Sequence, residues 1–184
     1  MRGGFLGDFV KGKLNGQYPL SWEQGIRLHR FIDSSTDKHQ KQDAIRKKLP
    51  PHFYRYSGIV TDMMCDYFLA QHWQDFHPRS LEDFNKDCMY ILNNESDKYG
   101  DAANQVLARM HQGSWLVNYR DLNYVCQCLE RIGTRIRFDN PLHECEHLLP
   151  KIYGQIESDC IELLKDTSHA VTQWRKEYLP DLNL

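Results

Sequence analysis

An all-α fold is predicted, and three features of the sequence predict it. Apolar residues recur at helical spacing through most of the chain, helix start and stop signals bracket those segments, and β-rich runs are few. Runs such as Trp115-Leu116-Val117 are short and are not followed by hairpin turns. The chain has 184 residues, 41% hydrophobic and 26% charged, which suits one compact domain around a single core. A single-domain helical bundle over residues 1–184 is therefore expected.

The elements follow in order. Ser21-Trp22-Glu23-Gln24 reads as a capping box after Pro19, with Ser21 as N-cap of a helix running to about Ser35. A second helical stretch, Thr36 to Lys48, stops at Pro50-Pro51, and an apolar-periodic segment from Gly58 to Trp73 ends before His77-Pro78. Further helical patterns cover Ser80–Asn94, Ala102–Gln112 and Asp121–Arg135. The last runs from Leu142 to Tyr178, with Leu149, Ile152, Ile156, Cys160 and Leu163 at helical spacing and an interruption or shift expected at Pro150.

Several classes are set aside by composition. No stretch approaches the roughly 20 apolar residues that span a bilayer, and no signal-peptide apolar region follows Met1-Arg2-Gly3-Gly4. A cytoplasmic protein without membrane partners is expected. The six cysteines (Cys65, Cys88, Cys126, Cys128, Cys145, Cys160) show no Cys-x-x-Cys spacing, so they read as reduced, buried small hydrophobes rather than zinc ligands. A net charge of −2 argues against nucleic acid as partner. The first quarter is nevertheless basic, with Arg27, Arg30, Lys38, Lys41, Arg46, Lys47 and Lys48 among its cations.

Chemistry concentrates at three places. On a helical wheel, Trp22, Ile26, His29 and Asp33 fall in one sector, so an imidazole and a carboxylate share a stripe with apolar side chains. Such a pair satisfies itself by a hydrogen bond or by holding a metal ion. Asp62 and Asp66 likewise lie one turn apart, aligned with Ile59, Leu69 and Trp73. Two aligned carboxylates repel unless one is protonated or a cation stands between them. His72 lies off that stripe. Asp8 sits in the glycine-rich segment Gly3 to Gly12, as a cap, an ion-pair partner or a ligand; the segment lacks the Lys-Ser/Thr ending of a P-loop. One His with several Asp suits Mn²⁺, Fe²⁺ or Mg²⁺ better than thiolate-bound zinc. Such an ion generates hydroxide and neutralises phosphate oxygens in phosphoester hydrolysis.

Four ordered motifs carry a resemblance: Gly7-Asp8-Phe9-Val10-Lys11-Gly12, Gly25-Ile26-x-x-His29-Arg30-x-Ile32-Asp33, Asp62-x-x-x-Asp66-x-Phe68-Leu69-x-x-His72-Trp73, and Trp115-Leu116-x-x-Tyr119-Arg120. Together they resemble the bacterial acyl carrier protein phosphodiesterase family, a divergent branch of the HD-domain phosphohydrolases. The resemblance implies an all-helical, HD-domain-like fold and a divalent metal, Mn²⁺ above Mg²⁺ or Fe²⁺. It implies hydrolysis of holo-acyl carrier protein to the apo protein and 4'-phosphopantetheine. Carried over by motif, Asp8, His29, Asp33, Asp62 and Asp66 are the expected metal ligands, and Asp33, Asp66 and Arg30 the expected catalytic groups. Acyl carrier proteins are acidic bundles, so Arg27, Lys38, Lys41, Arg46, Lys47 and Lys48 are the expected docking face. Relatives usually begin with a stretch resembling Met-Asn-Phe-Leu-Ala-His well upstream of the Gly-Asp-Phe-Val motif. Here Met1 stands almost on top of that motif, so an early His ligand has no counterpart and the extreme N-terminal segment is expected to be lacking. Two alternatives stay open: an HD-type phosphohydrolase of a small phosphoester, and an inactive binder of the carrier that lacks one ligand.

Overall fold

A computed structural model describes residues 1–110 and 113–179, and among them every regular element is a helix. The helices are α1 (Arg2–Leu6), α2 (Leu20–Asp37), α3 (Gln40–Arg46), α4 (Ser57–Gln71), α5 (Trp73–Phe76), α6 (Leu81–Asn93), α7 (Asp101–Met110), α8 (Trp115–Asn118), α9 (Leu122–Gly133) and α10 (Cys145–Tyr178). Short 3₁₀ turns lie at Pro51–Tyr56, Ser96–Lys98 and Leu142–Glu144. The all-α class is as the sequence predicts.

The caps explain several boundaries. Ser80 accepts the Asp83 N–H to start α6, and Asp121 accepts the Asn123 N–H to start α9. His39 starts α3 by accepting the Lys41 N–H on Nδ1. Ser21 does not take the expected N-cap position. The helix already begins at Leu20, and the Pro19 carbonyl accepts the N–H groups of Trp22 and Glu23. Thr36 belongs to α2 rather than to the next helix. Pro150 does not interrupt α10, which runs unbroken through it for 34 residues, so the ring costs one backbone bond without ending the helix. Trp115-Leu116-Val117 forms the short helix α8. The expected end of the α7 segment at Gln112 lies outside the described residues.

The chain divides into two compact units, Met1–Ser34 with His77–Asn118 and Ser35–Phe76 with Tyr119–Leu184, each with its own core. In the first, Leu6, Val10, Trp22, Ile26, Leu92, Tyr99 and Leu107 pack together. In it α1 passes close to α2. A β-carbon on Gly3 would lie 2.1 Å from the Trp22 carbonyl oxygen, and one on Gly25 would lie 2.8 Å from the Gly3 Cα. Glycine at both positions lets backbone approach backbone. In the second unit α3, α4, α9 and α10 pack around Phe53, Met64, Phe68, Leu129, Leu149 and Ile156. All six cysteines are free, and all but the half-buried Cys128 are buried. No described helix is long and apolar enough to cross a membrane.

Candidate functional site

The α1–α2 crossing carries the site. The α2 stripe is buried at Trp22 and Ile26, half-buried at His29 and exposed at Asp33. Asp8 stands in the turn that closes α1. The Gly7 backbone passes so close to α2 that a β-carbon there would lie 2.2 Å from the His29 Cγ. Asp8 and His29 are thereby brought side by side. The His29 Nε2 lies 3.4 Å from Asp8 Oδ1 and 3.2 Å from Asp33 Oδ2.

The loop after α1 is stapled to α2. Arg30 donates to the carbonyls of Val10 (2.8 Å) and Gly12 (2.9 Å), and Arg27 to that of Leu14. Glu23, only 5% exposed, accepts the Gly16 N–H at 2.8 Å and pairs with Arg27. Gly12 and Gly16 both have positive φ, 82° and 89°, conformations that favour glycine. Arg30 thus ties the loop that follows Asp8 to α2. Helical spacing does not single out Glu23, which lies about 100° around α2 from Trp22; its burial comes from the loop folded over it.

Asp8 and His29 tune one another. The His29 hydrogen bond holds the Asp8 carboxyl below the usual carboxylate range, against partial burial, with the charges of His29 and Lys11 adding to the effect. The Asp8 hydrogen bond raises the His29 pKa, again against partial burial, with the Asp33 and Asp8 charges adding. With both carboxylates ionised the trio is net negative whether or not the imidazole is protonated. Among the described residues no group of three His, Cys, Asp or Glu side chains is placed to hold a metal ion. By donor chemistry alone, one imidazole with two carboxylates is the kind of set a hard divalent cation takes. The two carboxylate oxygens stand 3.4 and 3.2 Å from Nε2, the spacing of a shared hydrogen bond. A cation would take the place of the Nε2 proton.

Asp62 and Asp66 stand one turn apart on α4, in the second unit, both with solvent-exposed surface. Asp66 is pushed up to about 7, first by the protein crowded around it and then by the Asp62 charge. Its exposed surface tempers the crowding, while the like charge acts in the same direction. In that unit His72 pairs with Glu157 at 2.8 Å, as befits its place off the Asp stripe.

The basic residues differ in what they touch. Lys41 and Lys48 both reach Asp159, at 3.0 and 2.6 Å, and Lys41 also pairs with Glu162. Arg46 lies over the Tyr54 ring, 4.9 Å from its centroid. Lys38 and Lys47 are exposed.

Beside the Asp8–His29 pair, within the first unit, opens a cavity of about 420 Å³. Its wall is largely apolar, with Phe5, Phe9, Cys88, Val106 and Trp115 among its residues and Asp8 and His29 as charge-bearing groups.

Fold and site together define an all-helical protein that presents an imidazole between two carboxylates beside an apolar pocket. The chain belongs to the acyl carrier protein phosphodiesterase family, whose description matches residues 1–167. It is 30% identical to the acyl carrier protein phosphodiesterase of Klebsiella pneumoniae subsp. pneumoniae over 138 residues, 72% of this chain and 69% of the relative. It is 29% identical to that of Klebsiella pneumoniae strain 342, covering 84% of this chain and 81% of the relative. It is 27% identical to that of Escherichia coli O157:H7, covering 86% and 82%. No solved structure matches the chain.

Proposed function

We propose that the protein is a metal-dependent phosphodiesterase that hydrolyses holo-acyl carrier protein to apo-acyl carrier protein and 4'-phosphopantetheine. The observation that carries this reading is the convergence of Asp8 and Asp33 on the His29 Nε2, formed by two of the family's motifs. Asp8, His29 and Asp33 would hold the ion, with Mn²⁺ the favoured occupant, and Asp62 and Asp66, in the second unit, are carried as metal and catalytic positions on the family motif alone. Once bound, it supplies a water of lowered pKa and neutralises phosphoryl oxygens.

The chain's own residues set the stage for that step. Arg30 fixes the Val10–Gly12 backbone, so Asp8 meets the reacting group in one geometry. Asp8 and Asp33 are exposed, which a phosphodiester on the surface of a folded protein requires. His29, once relieved of the Nε2 proton, offers a lone pair between the two carboxylates. In the second unit an acidic carrier is met foremost by Arg46 and Lys47, which are not the cations that hold Asp159, and Arg27 and Lys38 are further docking positions by their charge.

The test is a mass-shift assay on holo-acyl carrier protein with added Mn²⁺. Loss of the phosphopantetheine mass is expected, and its abolition in Asp66→Ala. An intact carrier after prolonged incubation with Mn²⁺, Mg²⁺ and Fe²⁺ in turn would end the proposal.

A further inference from the structure

The apolar cavity beside Asp8 and His29 has a chemistry that the hydrolytic reading does not use. A binding pocket of a few hundred Å³ is large enough for a substantial part of a small molecule, and this one measures about 420 Å³. Its wall includes phenyl rings from α1 (Phe5, Phe9), Cys88 from α6, Val106 from α7 and the Trp115 indole from α8. Of the side chains in the wall, the charge-bearing ones are Asp8 and His29 of the candidate phosphoryl site, and Met1, the first residue, also lines it. Whatever group continues from a phosphorus at Asp8 and His29 into this cavity therefore meets hydrocarbon.

That requirement separates classes of phosphoester. A nucleoside or sugar next to phosphorus would bring hydroxyls and ring nitrogens that need partners, and burying each unpaired weakens binding by about tenfold or more. The phosphopantetheine arm leaves phosphorus through a methylene and a quaternary carbon that carries geminal methyl groups. Each methyl-sized group buried strengthens binding about fourfold. The secondary hydroxyl of the arm, on the carbon beyond the quaternary one, and its amides lie farther from phosphorus than the geminal methyls, away from the need to enter the hydrocarbon wall.

We infer that this cavity is the specificity pocket of the site: it takes the branched alkyl end of the pantetheine arm and excludes nucleoside and sugar phosphoesters. The inference rests on the phosphodiesterase reading for the position of phosphorus, and it assigns Phe5, Phe9, Val106 and Trp115 a binding role.

The experiment is calorimetric titration of the metal-free protein with 4'-phosphopantetheine and, separately, with adenosine monophosphate, with Trp115 fluorescence as a second signal. Phosphopantetheine is expected to bind at least tenfold more tightly, to shift the emission, and to lose that shift in Trp115→Phe. Val106→Phe, which narrows the pocket, should weaken its binding about tenfold. Val106→Ser, which adds a hydroxyl without added bulk, should act in the same direction and serves if the larger side chain prevents folding. Equal binding of the nucleotide, no binding of either ligand, or indifference to both Val106 variants overturns the inference. The mass-shift assay keeps the two readings apart. Carrier hydrolysis with an indifferent Val106 sinks the pocket alone; phosphopantetheine binding without hydrolysis supports the pocket and sinks the phosphodiesterase reading alone.

Discussion

Gly7 and His29 occupy what would be a single side chain's space: a β-carbon on the glycine would lie 2.2 Å from Cγ and 2.3 Å from Cδ2 of the imidazole ring. The ring therefore packs against bare backbone, one residue before Asp8, and this contact sets the Asp8–His29 distance. Gly7→Ala should displace the ring and cost about 1–3 kcal/mol through overpacking. At about 2–4 °C per kcal/mol for a chain of this size, thermal melts will register it. Mn²⁺ affinity should fall by more than Gly4→Ala causes, because a β-carbon at Gly4 meets nothing within 4 Å. Equal melting temperatures for the two variants would show that the crossing is not tight.

Arg30 offers a second handle on the same geometry. Its guanidinium bridges the Val10 and Gly12 carbonyls at 2.8 and 2.9 Å, a two-pronged contact that lysine cannot reproduce. Arg30→Lys should lower Mn²⁺ affinity and turnover about tenfold, as expected when the support of a ligand is loosened. Excess Mn²⁺ should restore most of the turnover. A turnover loss that no Mn²⁺ concentration relieves would instead place the guanidinium on the reacting phosphoryl group.

These contacts show how far local pattern reaches. His29 and Asp33 are one helical turn apart, so their shared face is readable from spacing alone, as is the Asp62–Asp66 pair on α4. The meeting of Asp8 with His29 is not, because it depends on α1 crossing α2 through Gly3, Gly7 and Gly25. The motif shows those glycines but not what they admit. The basic first quarter likewise reads as one docking face, yet Lys41 and Lys48 find Asp159, 118 and 111 residues away. No local rule reveals such a pairing. Pro150 misleads for a related reason: tertiary packing of Leu149, Ile152 and Ile156 carries the helix through the ring.

The His29 environment predicts a pH dependence. Its folded pKa is raised above 6.5, chiefly by the Asp8 hydrogen bond, so its contribution to stability is full below pH 6.5 and is lost as pH rises through the folded value. Asp8 is lowered from 3.8; its contribution is present above that value and is lost as pH falls through the folded one. In the metal-free protein, His29→Gln should melt lower than the parent near pH 6, and the gap should narrow toward pH 8. Mn²⁺ affinity of the parent should rise over that interval, because the ion displaces the Nε2 proton. A gap that widens with pH would mean that the neutral imidazole is the preferred state.

Asp66 behaves in the opposite sense. Its ordinary value is 3.8, and in the folded protein it is pushed up to about 7 by the surrounding protein and by Asp62. The native state therefore holds a proton that the unfolded chain has released, so the contribution of this group to stability falls as pH rises from about 4 to 7. Metal-free Asp66→Asn should be more stable than the parent at pH 8 and closer to it at pH 5, while losing hydrolysis. Melts in the presence of a chelator at the two pH values decide it. Lower stability of the variant at pH 8 would show that the carboxylate is held by a favourable contact.

Carrier docking should separate the basic residues by what they already touch. Lys41 and Lys48 are tied to Asp159, itself only 8% exposed. Lys41→Glu or Lys48→Glu would place a second carboxylate against it, so each should lower the melting temperature. Arg46 rests on the Tyr54 ring and Lys47 is exposed, so reversing both leaves Asp159 paired. Arg46→Glu with Lys47→Glu should raise KM for an acidic carrier several-fold at low ionic strength, with little change in kcat or melting temperature. The difference from the parent should shrink as salt rises toward 0.5 M, where the Debye length falls to about 4 Å. Adding Lys48→Glu should raise KM further but also lower the melting temperature through Asp159. If the double reversal leaves KM unchanged at low salt while Lys48→Glu alone raises it, the carrier approaches along the Asp159 side and the Lys48 contact is broken on binding.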